Sequence, residues 1–269
     1  MEKQELLEQY AEGKRDFIRI QLKGVDLKGA DLQEINLSQS DLTGADLSEA
    51  NLSGAKLSQA KLSQALLVNT NLQKVDAPSV QFDNTDIQSA NFHEATLSHS
   101  NFTQSRLEKT CFSFAKLPSA NFTRAILEKS DFTNTDLGNA CLREAELTSL
   151  DFSLSNLTLA KLQGINIHKT VLKGAKLHQI DFSGLDFTKI DFEGADLQGS
   201  NLRRTILRGA NLERSILVGV NLIRAKLDRA NLKRANLTDA NLYGASVKEA
   251  DFSLAIMPDG KRYKAKVAA

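Results

Sequence analysis

Large apolar residues fall on every fifth position from Phe17 to Phe252 without one insertion or deletion. The run makes 48 consecutive five-residue units, with Leu at 32 of the central positions and Phe at 12. Ala77, Ile87, Ile167 and Val247 are the exceptions. The residue two before each centre is small, Ala in 23 units and otherwise mostly Ser, Thr, Val or Ile. The residue just before the centre is Asp or Asn in 29 units. A helix places positions i, i+3 and i+4 on one face, so a period of five smears Leu around its axis. A flat strand fails as well, because an odd period flips the face at each repeat. Short extended segments joined by corners satisfy the pattern. Within each segment the centre and the residue two before it share a side. The pattern therefore predicts two positions inward and three outward, repeated along an all-β solenoid.

Glycine and proline report the corner chemistry. Twelve of the fifteen Gly occupy the second position after a centre, among them Gly24, Gly54, Gly174 and Gly244. Pro78 and Pro118 occupy the first position. Pro then Gly is the preference of a type II turn, whose second central residue needs positive φ. Elsewhere that second slot holds residues such as Gln, Asn, Lys, Glu or Arg, so other turn types are expected among those corners.

Residues 1–15 break the period. Leu6, Leu7 and Tyr10 fall on one face at helical spacing, acids lead, and Gly13 with Lys14 and Arg15 marks an end. A short N-terminal capping helix is expected, because a stacked solenoid leaves its terminal core open to water. The body spans 16–257, and 258–269 forms a basic tail with Lys261, Arg262, Lys264 and Lys266. One oversized stretch stands out. Ile180, Leu185 and Ile190 interleave with Phe182, Phe187 and Phe192, which is expected to widen or bend the coil. Ala77 is undersized, and its larger neighbours Val75 and Val80 are expected to fill the missing volume.

Units such as Ala30-Asp31-Leu32-Gln33-Glu34 and Ala210-Asn211-Leu212-Glu213-Arg214 carry an A(D/N)Lxx signature. In this the chain resembles the pentapeptide-repeat family. The resemblance implies a right-handed quadrilateral β-helix with four units per coil, hence about 12 coils, stacked at roughly 4.8 Å each. The entrance LLEQYAEGKRDF and the exit IMPDG are similar to cyanobacterial solenoids of the family, one of which regulates heterocyst differentiation through protein contact. Other members act as DNA-mimicking modulators of type II topoisomerase. Mimicry needs a strongly negative rod, and the formal net charge here is +1.

Composition changes this picture little. The charged N-terminus lacks the apolar run of a signal peptide, and no stretch approaches transmembrane length. The expectation is a soluble, cytoplasmic protein without membrane contact. Cys111 and Cys141 are 30 residues apart, one and a half turns of a four-sided coil, and are expected to be unpaired and partly exposed. There is no GxSxG, HExxH, CxxC or phosphate-binding loop. The four His (His93, His99, His168 and His178) are scattered on outward slots. The recurrent Asp and Asn read as solvated faces and turn hydrogen bonds. No catalytic residue, metal site or cofactor is expected.

Charge asymmetry is the leading functional signal. Residues 1–54 are net −5, whereas residues 203–234 carry nine bases against Glu213 and Asp228. Arg203, Arg204, Arg208, Arg214, Arg224, Arg229 and Arg234 form the candidate patch. Residues 20 apart stack in the implied coil, so Arg204 and Arg224 make one ladder and Arg214 and Arg234 another. Such a surface suits an acidic protein, with nucleic acid the less favoured partner. A second candidate is apolar: Phe114 and Leu154 share a slot two coils apart, with Leu159 on the neighbouring side. The reading is a non-enzymatic regulatory scaffold that binds a partner protein along its faces. It acts as a monomer or as an end-to-end dimer.

Overall fold

The computed structural model describes residues 1–264. Lys266 of the tail lies outside the described residues. Nearly every pre-centre residue pairs in parallel with the residue 20 further on, from Asp16 with Asn36 to Asn236 with Ile256. Four five-residue units therefore close one coil, and the chain is the right-handed quadrilateral β-helix the resemblance implies. We number the faces in chain order, with central residues Phe17, Leu22, Leu27 and Leu32 opening faces 1 to 4. Corner 1 follows face 1, and so on around the prism.

The two-inward, three-outward code holds along the rod. Centres such as Leu47, Leu97 and Leu197 are fully buried, as are Ala45, Ala95 and Ala195 two residues before them. Ala77, Val75 and Val80 are buried together, so the small centre leaves no exposed gap. Each coil binds the next through three recurring backbone bonds. The centre and the second corner residue donate forward, as Leu42 N–H does to Lys61 (2.8 Å) and Gly44 N–H to Ser63 (3.0 Å). The pre-centre residue donates backward, as Asp41 N–H does to Ile20 (3.0 Å). Each such bond adds about 0.5–1.5 kcal/mol net, and each buried Leu about 1.5–3 kcal/mol.

The polar slots have defined partners. Pre-centre Asp and Asn accept from the N–H two residues on, as Asp46 does from Ser48 (2.9 Å). They also stack: Asn231 donates to Asn211 (3.1 Å), which donates to Asp191 (2.9 Å). Ser and Thr at the inward slot are tolerated because their hydroxyls reach a buried carbonyl, as Thr70 reaches Leu47 (2.8 Å) and Ser100 reaches Ala77 (3.1 Å). A buried hydroxyl without such a partner costs about 1–3 kcal/mol.

The corners correct one expectation. The centre carbonyl accepts from the N–H three residues on, as Leu42 does from Ala45 (3.0 Å). All 12 glycines of the second slot have positive φ, and so does every other residue there, for example Arg19 at 60°, Gln104 at 59° and Phe114 at 60°. Corners without Gly keep the same left-handed second residue. The stacked coils above and below hold L-residues in the left-handed region, at roughly 1–2 kcal/mol each by sterics. No Val, Ile or Thr occurs in this slot, although Thr is common one residue earlier. β-Branched side chains are the least tolerant of positive φ.

Rings in the middle coils stack in two columns. Phe82, Phe102 and Phe122 on face 2 are parallel at 5.1 and 4.8 Å, and Phe92, Phe112 and Phe132 on face 4 at 4.9 and 4.8 Å. The columns meet edge to face at 5.8–6.2 Å, the favoured geometry for crossed rings. Cys111 and Cys141 are free, half-buried, and on opposite faces.

At the N-terminal end α1, Lys3–Ala11, lays fully buried Leu6 and partly buried Leu7 and Tyr10 on the first coil. Its end is a Schellman motif: Gly13 at φ 96° donates to Tyr10 (3.0 Å) and Lys14 to Gln9 (3.1 Å). The other end is covered on one side. Tyr263 lies 5.5 Å from the Phe252 ring and its N–H donates to Ala255 (2.7 Å). Val247, a centre expected to be buried, is 42% exposed, with no coil of the described residues above it.

The oversized stretch opens the helix on two sides. The only two segments longer than a single bridge among the described residues are β1 (Glu146–Thr148) and β2 (Asn166–His168), paired on face 3. Above β2 the ladder lapses: neither Lys161 with Asp181 on face 2 nor Asn166 with Asp186 on face 3 forms a bridge. Faces 1 and 4 stay joined through Asn156–Lys176 and Val171–Asp191.

Candidate partner-binding surface

The seven arginines of the candidate patch are all exposed, but they do not form one patch. The 20-residue register places Arg203, Arg204 and Arg224 on corner 2, Arg208 and Arg229 on corner 3, and Arg214 and Arg234 on corner 4. Both ladders read from the sequence exist. Arg204 N–H donates to Ile223 (2.9 Å) and Arg214 N–H to Lys233 (2.9 Å), which fixes each arginine beneath its counterpart one coil on. They stand on diagonally opposite corners, so no flat partner touches both.

Neutralisation separates the corners further. On corner 3, Arg229 Nε lies 2.8 Å from Glu249 and Arg208 Nε 3.6 Å from Asp228. The Glu249 hydrogen bond and charge raise the Arg229 pKa above its ordinary value. Asp228 is held below the usual carboxylate range, chiefly by the Ser246 hydroxyl and with help from the Lys248 N–H and Arg208. Corner 4 is partly neutralised, with Arg214 Nε 3.9 Å from Glu213 and Lys233 Nζ 3.3 Å from Asp251. Among the described residues no carboxylate lies within 4 Å of the Arg203, Arg204 or Arg224 guanidinium.

Corner 2 also has the shape to receive a partner. Gly184 below Arg204 and Gly244 above Arg224 leave the ladder open at both ends. A notch of ≈ 380 Å³ lined by Ser183, Gly184, Asn201, Arg203 and Arg204 lies at its foot. The Arg224 stem leans toward Gly244, where an added Cβ would lie 3.4 Å from its Cγ. Tyr243, 76% exposed, follows in the next coil.

The apolar candidate does not assemble into a contiguous patch. Phe114 and Leu154 are 54% and 63% exposed on corner 4, but Asn134 stands between them. Phe114 meets His93 edge to face at 5.6 Å. Leu154 bends away over Gly174, where a Cβ would come within 2.8 Å of its Cδ2. Leu159 is exposed alone on corner 1. Single exposed apolar residues need no functional explanation.

Among the described residues, no group of three or more His, Cys, Asp or Glu is placed to hold a metal ion. No helix there is long and apolar enough to cross a membrane.

The chain matches the family model for pentapeptide repeats in eight copies, covering 20–59, 50–88, 86–124, 110–148, 151–188, 175–214, 186–222 and 215–253. No curated protein matches it. Among solved structures it is 31% identical to HetL from the cyanobacterium Nostoc sp. strain PCC 7120, a pentapeptide repeat protein involved in heterocyst differentiation regulation. That match covers 98% of this chain and 100% of HetL, with a TM-score of 0.38. It is 14% identical to QnrB1, a plasmid-mediated fluoroquinolone resistance protein, over 88% of this chain and 89% of the other, with a TM-score of 0.34. A pentapeptide repeat protein from the thylakoid lumen of Arabidopsis thaliana is 32% identical over 31% of this chain and 66% of its own, with a TM-score of 0.20. Its unbroken five-residue run, its 20-residue ladder and the eight matched copies place the chain in the pentapeptide-repeat family.

Proposed function

We propose that this protein is a non-enzymatic regulatory scaffold that docks an acidic segment of a partner protein along corner 2. The observation that carries this reading is the unneutralised ladder of Arg203, Arg204 and Arg224, beside the neighbouring corner 3, whose arginines both have carboxylate partners. A free guanidinium on a rigid corner offers a fork to a carboxylate without first breaking an internal pair. Fixed spacing limits what is lost on binding, since the backbone under each arginine is held by the coil ladder. The 31% identity to HetL, whose role is regulatory, is consistent with this reading.

The test compares affinity capture by the wild-type chain and by R203E/R204E/R224E, with R208E/R229E as a control for charge alone. The expected outcome is a partner whose capture weakens at high salt, falls at least tenfold with the corner 2 variant, and survives the corner 3 variant. Equal loss in both variants, or in neither, would refute the assignment to corner 2. Retardation of DNA at low salt by the wild-type chain, in the absence of such a partner, would replace this reading by direct nucleic-acid binding.

A further inference from the structure

Among the described residues the rod has one seam. Between the coil centred on Leu157, Leu162, Ile167 and Leu172 and the next one, centred on Leu177, Phe182, Phe187 and Phe192, two adjacent faces lose their ladder. The backbone N–H groups of Leu162, Gly164, Ile167 and Lys169 donate to nothing in the coil above, and those of Asp181 and Asp186 to nothing below. In the coils on either side the equivalent bonds are present, as with Leu142 N–H to Lys161 (2.9 Å) and Phe182 N–H to Asn201 (2.9 Å).

The cause is volume. Inward slots that hold Ala, Ser or Thr in most coils hold Ile180, Leu185 and Ile190 here, and three consecutive centres are Phe. Phe182, Phe187 and Phe192 cannot stack in columns and meet edge to face at 5.3 and 5.2 Å. Overfilled layers separate rather than compress, because protein interiors are already close-packed. Solvent reaches the core where they part: Ile165 and Ile167 are 8% and 6% exposed, against 0% for most centres, and Leu185 is only partly buried.

Faces 1 and 4 keep their bonds across the same level, with Leu157 N–H to Lys176 at 2.8 Å and Leu172 N–H to Asp191 at 2.8 Å. Corner 4 lies between them, and there Gly174 N–H donates to Glu193 (2.8 Å) across the same level. An opening joined along one edge and free along the opposite edge has the geometry of a hinge. The free edge is corner 2, where Gly164 and Gly184 put no side chains across the gap. We propose that the chain is two rigid blocks joined by this hinge, and that flexing opens and closes the mouth at corner 2 between Gly164 and Gly184, one coil beneath Arg203 and Arg204.

Two measurements test this on the full-length chain. Hydrogen exchange followed by mass spectrometry should show amides in 162–169 and 181–186 exchanging at least tenfold faster than those in 142–149 and 201–206. Leu185→Ala, alone or with Ile180→Ala and Ile190→Ala, should slow that exchange by relieving the excess volume. Spin labels on corner 2 at Glu144 and Arg204 span the seam over three coils. Gln64 and Arg124 span three coils of continuous ladder on the same corner. With Cys111 and Cys141 replaced by Asn, electron–electron resonance should give a broader distance distribution for the first pair than for the second. Equal protection across the seam, or distributions of equal width, would overturn the hinge.

Discussion

Replacing Phe102 by Ala is expected to cost about 3–5 kcal/mol, among the largest losses a single substitution can cause in this rod. The ring is fully buried and lies at the centre of the aromatic lattice, stacked on Phe82 at 5.1 Å and Phe122 at 4.8 Å. Its edges meet Phe92 at 6.2 Å and Phe112 at 5.8 Å. Each pair adds about 0.5–1.5 kcal/mol beyond area burial, so the truncation removes both transfer energy and ring contacts. A backbone ladder on every face keeps the coils from collapsing into the cavity. Phe102→Leu should cost far less, because Leu fills the same slot on most other coils. Equilibrium unfolding in denaturant measures both variants. A loss for Phe102→Ala no larger than for Phe102→Leu would contradict the stacked core.

A pair of proline substitutions two residues apart should differ sharply in cost. Asn121 N–H donates to Ser100 (2.9 Å), one of the three bonds that join each coil to its neighbours. Asn121→Pro removes that donor and forces a ring against the coil below, at about 3 kcal/mol or more. Thr123 stands at the first corner position, where the N–H reaches only the Asn121 side chain (3.0 Å) and takes no part in the ladder. Thr123→Pro should cost about 1 kcal/mol, the value of one half-buried turn bond. The native Pro78 and Pro118 occupy this same position. Thermal unfolding of the two variants decides the matter. Comparable losses would mean that the first corner N–H has a structural partner after all.

These contrasts show how much of the molecule was legible in the amino-acid order. The period of five placed Leu47, Ala45 and their counterparts in the core, because an inward slot in a stacked coil has no alternative environment. Leu6, Leu7 and Tyr10 were legible as a cap for the same reason. The closure of four units into one coil came from the resemblance, since a period of five alone does not count sides. The left-handed backbone at Gln104 or Arg224 was hidden, because single L-residues rarely adopt it and only the stacked ladder holds it there. A trace was nevertheless present in the absence of β-branched residues from that slot. The Phe82–Phe132 columns were also visible as a ten-residue alternation of Phe and smaller centres. At the seam the bulky residues were legible, but which two faces part depends on how Phe182, Phe187 and Phe192 pack in three dimensions.

For the candidate site, sequence position gave the ladders and overstated the patch. Nine bases in 32 residues look like one surface until the 20-residue register distributes them over three corners. Their unequal neutralisation depends on which carboxylate stacks above which cation. Glu249 lies above Arg229 and Asp228 above Arg208, whereas Arg204 has Arg224 above it and Arg224 has Gly244. The apolar candidates failed for a related reason: one intervening Asn134 separates Phe114 from Leu154 on a shared corner.

The register that sets residues 20 apart on one corner builds the arginine ladder and isolates it from the others. Disulfide formation tests it directly, because a disulfide needs Cα atoms within roughly 7 Å and neighbouring strands lie about 4.8 Å apart. With Cys111 and Cys141 replaced by Asn, the pair R204C/R224C should oxidise rapidly to an intramolecular disulfide. The pairs R204C/G219C and R204C/R229C, which lie on different corners, should remain reduced under the same conditions. Rapid closure of either of those two pairs, with R204C/R224C left open, would contradict the four-sided coil and the corner built on it.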